Sequence, residues 1–256
     1  MNILDLNKKF YKKFNGKKGI IGLSEQSRPI YFYGVERSDY PKIIIQSAIH
    51  AREYITAYLT LKQLKITDKF LQDGSVYFVP ILNPDGVNIA LKENPRYKAN
   101  ARGVDLNVNF DARWGTGEKN IRQKSSENFI GEYPFSERET RAIRDFTLSI
   151  KPNLTISYHA KGEEIYYEFF QSDFNKERDE ILAKMIAKST GYTVKSTLNS
   201  AGGYKDWCIE KLKIPALTIE VGNDNLMHPI QKKYLRKIFK QNKFVINKSI
   251  EFFLEK

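Results

Sequence analysis

The chain has 256 residues, with 42 Lys and Arg against 30 Asp and Glu, a formal charge of +12. At 41% hydrophobic and 28% charged residues it is neither membrane-spanning nor disordered, and its length allows one domain with a large core. A single cysteine, Cys208, excludes an intramolecular disulfide framework and a Cys-rich metal cluster, so metal or covalent chemistry must draw on His, Asp, Glu or Ser.

Residues 1–19 are basic but contain neither an uninterrupted apolar stretch nor a small-residue cleavage site, and no later run has membrane-spanning length. A cytoplasmic location without membrane association is expected. Short β-rich runs at Gly19–Leu23 and Pro29–Val35 come first. Lys42–Ala48 (KIIIQSA) is a compact apolar run that reads as a buried strand. It leads into a helix over Glu53–Ile66, where Tyr54, Ala57, Tyr58, Leu61 and Leu64 recur at helical spacing. Ser75–Leu82 is a second buried strand, ended by the turn residues Asn83–Gly86. The stretch from Lys92 to Tyr133 has little periodicity and many Asn, Gly, Arg and aromatic residues, which marks a functional surface.

Regular structure resumes at Ser136, where SERE reads as a capping box opening a helix to about Ile150. Strands are predicted at Asn153–Tyr158, Glu164–Phe170, Tyr192–Leu198 and Pro215–Val221, with helices at about Asn175–Ser189, Tyr204–Leu212 and Pro229–Phe253. Strands alternating with helices give a single-domain α/β fold, a central mixed, mostly parallel β-sheet flanked by helices. Lys and Arg are spread along the sequence rather than gathered in one basic arm, so a lysine-rich soluble surface is expected and no nucleic-acid partner.

In such a fold the site lies beyond the carboxyl ends of the strands. His50 and Glu53 stand where the KIIIQSA strand turns into its helix, His159 ends NLTISY, and Glu220 lies near the end of PALTIEV. A His and a Glu three positions apart at a helix start share a face, and a third ligand from another strand leaves a fourth position open, as catalytic zinc needs. Each residue alone has a plainer reading: a surface pair, a hydrogen-bonded core histidine, a carboxylate neutralising a base. Economy favours the site, because two of only three histidines end strands of one sheet. His228, beside Pro229, reads as a surface or capping residue.

Six ordered segments, Ser47–Tyr54 (SAIHAREY), Asn83–Gly86 (NPDG), Gly103–Asn107 (GVDLN), Ser157–His159 (SYH), Gly202–Trp207 (GGYKDW) and Ile219–Gly222 (IEVG), resemble the motifs of the M14-type zinc carboxypeptidases. The resemblance implies one zinc ion held by His50, Glu53 and His159, with Glu220 as general base and Asp105 orienting the first histidine. The family's oxyanion-stabilising arginine falls at Lys98, with Arg96 and Arg102 as rivals.

The sequence also departs from the family. Where the family has Asn-Arg to grip a terminal carboxylate, this chain has Asn107-Val108, and Leu198 stands at the position of a mobile tyrosine. Lys205 falls at the base of the family's specificity pocket. Asn107, Lys205 and Arg102 are therefore the expected substrate-binding residues. The set resembles the bacterial branch that cleaves γ-D-glutamyl–diamino acid bonds, which implies a peptide or muropeptide substrate taken by a monomer. A carboxypeptidase for acidic C-termini and a non-catalytic binder of an anionic polymer are the alternatives.

Overall fold

The computed structural model describes residues 1–196 and 199–255. Among the described residues eight strands form one sheet: β1 (Lys17–Leu23), β2 (Pro29–Glu36), β3 (Lys42–Ser47), β4 (Ser75–Val79), β5 (Leu154–His159), β6 (Glu164–Tyr166), β7 (Thr193–Lys195) and β8 (Ala216–Glu220). Their order across the sheet is β1-β2-β4-β3-β5-β8-β6-β7. The central four, β4-β3-β5-β8, are parallel, whereas β1, β2 and β6 join antiparallel. β4 and β5 are buried at every position, and β3 at all but its first, which is why they read as continuous apolar runs.

The α-helices of the described residues cover the sheet: α1 (Ile3–Lys13), α2 (Ile55–Phe70), α3 (Pro84–Lys92), α4 (Arg138–Ile150), α5 (Asp173–Thr190), α6 (Tyr204–Leu212), α7 (Leu235–Asn242) and α8 (Val245–Leu254). One apolar core joins the sheet to α1, α2, α5, α7 and α8, and a second, including Ile143, Phe146, Tyr204 and Trp207, joins it to α4 and α6. Because β3 is followed on one side by β4 and on the other by β5, the chain reverses direction across the sheet between β3 and β5. That reversal opens a crevice at their carboxyl ends.

Several elements differ from expectation. α1 escaped detection because its buried Ile3 and half-buried Phe10 are diluted by four lysines; Asn2 Oδ1 caps it by accepting the Asp5 N–H at 2.9 Å. NPDG is a helix start as well as a turn, with Asn83 as N-cap of α3 and Pro84 in its first turn. The Ser136 capping box does not form. Glu137 is the N-cap of α4, and Ser136 Oγ donates to the Glu137 carboxylate instead. The strand predicted over Glu164–Phe170 stops at Tyr166. The long terminal helix is broken into a short 3-10 turn at Lys232–Tyr234, α7 and α8.

Candidate active site

The end of β3 is fastened before it reaches His50. Ser47 Oγ lies 2.9 Å from Thr60 Oγ1 and donates to Pro80 O at 2.8 Å, and the Ala48 N–H donates to Thr56 Oγ1 at 3.0 Å. A 3-10 turn, Ala51–Glu53, then aims His50 and Glu53 in one direction. Asn83 Nδ2 donates to Ile49 O and Ala99 O, 3.0 Å each, so the NPDG motif ties the loop bearing His50 to the loop bearing Lys98. Gly86 permits that approach, because a Cβ there would stand 2.4 Å from Ala99 O.

β3 and β5 are parallel neighbours, so His50 and His159, 109 positions apart, meet at the crevice. His50 Nδ1 is 3.0 Å from Glu53 Oε1 and 3.1 Å from His159 Nδ1, which is 3.2 Å from Glu53 Oε2. All three side chains are buried. Ligand atoms of a tetrahedral zinc with bonds of about 2.0–2.1 Å stand about 3.3 Å apart. Two ring nitrogens and a carboxylate packed at that spacing, with no cation among them, would be costly in a buried place. Spacing, donor types and burial therefore all fit zinc.

Asp105 is fully buried behind this cluster. Its Oδ1 lies 3.2 Å from His50 Nε2, its Oδ2 lies 2.8 Å from Lys98 Nζ, and it accepts the backbone N–H groups of Asn107 and Asn128. Burial would raise the Asp105 carboxyl, but the charges of Lys98 and His50 outweigh it and hold the group well below the usual carboxylate range. The same pairing overcomes the burial of Lys98 and raises its ammonium above the ordinary lysine value. Glu220 stands beside His159 in the β5–β8 ladder and opposite Glu164 in the β8–β6 ladder. Desolvation, joined by the like charges of Glu53 and Glu164 and opposed by His159 and Lys98, pushes Glu220 up to about 8. Its Oε2 is buried with no hydrogen-bond partner among the described residues.

A cleft of about 410 Å³ opens over these groups and is also lined by Asn107, Val108 and Lys205. Of the three rival cations, Lys98 lines this cleft. Arg96 is exposed, with its carbonyl accepting from Arg52, and Arg102 pairs with Glu132 at 3.0 Å beside a separate pocket. The structure therefore does not bring Arg102 to the expected substrate site. Asn107 Oδ1 accepts the Tyr204 N–H at the start of α6. Lys205 is buried and already paired: its ammonium donates to Asp206 Oδ1 at 2.6 Å and to Glu168 O at 2.8 Å. It is one half of an ion pair, not the free cation expected. Leu198 lies outside the described residues.

His228 is half-buried rather than a surface cap, and its Nδ1 has no partner among the described residues. Burial lowers its pKa, and Glu53, Arg52 and His50 all act on its charge. Tyr166 and Asn128 also line the cleft and were not singled out from the sequence. Tyr166 sits on β6, too short to show alternation, with its hydroxyl bonded to the Glu164 carboxylate. Asn128 belongs to the aperiodic stretch, whose length and composition mark a functional surface without singling out one asparagine.

A family model described as zinc carboxypeptidase matches residues 12–244. The γ-D-glutamyl-L-diamino acid endopeptidase 1 of Lysinibacillus sphaericus is 27% identical over 227 residues, covering 75% of this chain. The chain spans 57% of that relative's length. Bovine thrombin-activatable fibrinolysis inhibitor, solved with a tick carboxypeptidase inhibitor, superposes with a TM-score of 0.85 at 22% identity, covering 99% of this chain and 94% of that one. The murein-tripeptide amidase of Escherichia coli O157 superposes with a TM-score of 0.67 at 22% identity, over 93% and 95% of the two chains. Both superpositions carry the fold.

Proposed function

Because the chain belongs to the zinc carboxypeptidase family, and so to a family of zinc-dependent hydrolases, we propose that it cleaves an amide bond in peptidoglycan stem peptides of the γ-D-glutamyl-diamino acid type. His50, Glu53 and His159 would hold the zinc. The ion supplies a Lewis acid and brings the pKa of a water down to roughly 7.

The chain's own groups do the rest. Glu220, unpartnered at Oε2 and already inclined to hold a proton, takes one from the attacking water and delivers it to the leaving nitrogen. Lys98 faces the cleft and offers a positive charge to the oxygen on which negative charge develops. Asp105 keeps that ammonium protonated and holds the His50 ring with its Nδ1 toward the metal position.

One observation carries the choice of substrate: the charges along the cleft. At Val108, where the family places the arginine that grips a C-terminal carboxylate, this chain offers an apolar side chain, which disfavours an ordinary carboxypeptidase. Deeper in, Lys205 and Asp206 present both signs of charge side by side. A zwitterionic side-chain head, such as the distal centre of a diaminopimelate, matches such a pair better than a lone carboxylate does. The name of the Lysinibacillus relative points the same way.

Purified protein loaded with zinc should release products from L-Ala-γ-D-Glu-meso-diaminopimelate, followed by mass spectrometry, at least tenfold faster than from blocked dipeptides with acidic C-termini. Equal or faster turnover of the dipeptides would overturn the substrate assignment and leave the hydrolytic site intact.

A further inference from the structure

The charge of +12 is not spread over the folded molecule. α1 carries Lys8, Lys9, Lys12 and Lys13 against Asp5, and α2 carries Lys62, Lys65 and Lys69 against Asp68. Residues 232–243 carry Lys232, Lys233, Arg236, Lys237, Lys240 and Lys243 with no acidic residue. These segments hold thirteen basic residues against two acidic ones, a balance of +11. The rest of the chain has twenty-nine against twenty-eight.

The three segments lie side by side on one face of the sheet. Lys65 of α2 reaches over the Phe10 ring of α1 at 5.6 Å, Lys62 over the Phe239 ring of α7 at 5.1 Å, and Lys232 over the Tyr58 ring of α2 at 4.8 Å. Their apolar sides, including Ile3, Leu59, Leu64, Leu235 and Ile238, face the shared core, and all thirteen basic side chains are exposed. Among the described residues only Lys237 has an acidic partner within 4.0 Å, Glu163 at 3.2 Å.

Like charges gathered in this way repel one another, and an anionic partner relieves that. Twelve of the thirteen are lysines, point charges that respond to charge density rather than to a particular bidentate group. Between α2 and α7 the face is nearly closed, with a cavity of about 20 Å³, and a larger one of about 310 Å³ opens on the far side of α1, toward α3. Helices packed 8–10 Å apart make the array roughly 20 Å wide, and the length of α2 makes it roughly 24 Å long. At one rim stand Phe70 and Phe244, 56% and 51% exposed, each ring with a lysine ammonium 5.0 Å from its centroid. A flat, two-dimensional array of lysines with two aromatic rings at its edge is the chemistry of a bilayer interface.

We propose that the α1–α2–α7 face is a docking surface for an anionic lipid bilayer. No helix among the described residues is long and apolar enough to cross a membrane, and a face that lies on one needs no such helix. In the sequence the +12 charge admits acidic lipid as a partner, and the scatter of Lys and Arg along the chain argues against it; the fold gathers much of that scatter onto one face. α2 begins two residues after Glu53, so the cleft lies at the opposite end of α2 from Phe70 and stays open when the face is docked.

The test is co-sedimentation of the full chain with vesicles of phosphatidylcholine, with and without phosphatidylglycerol. Two quadruple variants of equal net charge are compared with it: Lys9→Gln/Lys13→Gln/Arg236→Gln/Lys240→Gln on the face, and Lys124→Gln/Lys151→Gln/Lys211→Gln/Lys213→Gln elsewhere. All eight positions are exposed, and zinc content and thermal melting check that both variants fold. The expected result is binding to phosphatidylglycerol vesicles at least tenfold above neutral ones, lost at about 0.5 M salt. The face variant should lose tenfold or more and the other variant less than twofold. Equal loss in both variants, or no binding to anionic vesicles, overturns the proposal, as does binding of inorganic polyphosphate without binding of vesicles.

Discussion

Asp105 touches His50, a proposed metal ligand, with one oxygen and Lys98 of the cleft with the other, so a change at this position reaches two proposed functions at once. Asp105→Asn keeps the volume but removes the charge that holds both partners. Zinc affinity should fall about 10–100-fold, read by competition with a chromophoric chelator, and turnover should fall further than metal loss explains because Lys98 is released. Glu220→Gln should behave differently, retaining zinc while losing about 10²–10⁴-fold in kcat. His159→Ala should lose the metal itself, measured by atomic absorption. Near wild-type turnover in Glu220→Gln would remove Glu220 from the proposed chemistry.

At the level of elements, the sheet centre was legible and its flanks were less so. His50, Glu53, His159 and Glu220 could be grouped as candidates because buried parallel strands advertise themselves as apolar runs, and all four stand near where such runs stop. Lys98 and Arg102 could not be separated in sequence, since four positions along an irregular segment decide nothing about direction. In space one points into the cleft and the other toward Glu132. The pairing of Lys205 with Asp206, which alters its chemical meaning, leaves no mark in a linear reading. The first turn of α4 makes a prediction of its own. Burial, and secondarily the charge of Glu25, pushes Glu139 there up to about 7. Between the ordinary value near 4.5 and about 7, the folded chain holds more protons at this group than the unfolded chain, so its contribution to stability falls as pH rises through that window. Glu139→Gln should flatten the fall, by about 2 kcal/mol between pH 5 and pH 8 in urea unfolding. Parallel pH curves for variant and parent would refute the assignment.

On the scale of the whole molecule, charge and chemistry are divided between separate regions. The cleft lies beyond the carboxyl ends of β3, β5 and β8, while a balance of +11 lies on α1, α2 and residues 232–243 on one face of the sheet. The composition holds the total and conceals this partition, because the basic residues come from two separate segments in the first 70 positions and a third beyond position 231. The meeting of His50 and His159 has a further consequence, of a covalent kind of bookkeeping without a covalent bond. A cation gripped by both closes a loop of 109 residues across the middle of the sheet, as a cystine would in a chain whose lone buried Cys208 can form none. A cross-link over roughly a hundred residues restrains the unfolded chain by about 4–5 kcal/mol if it persists there, and one that releases on unfolding adds its binding free energy to the native state instead. Zinc would then be a fastener as well as a reagent. Stripping it should lower the urea midpoint of Glu220→Gln as much as that of the parent, although the variant has no turnover left to lose.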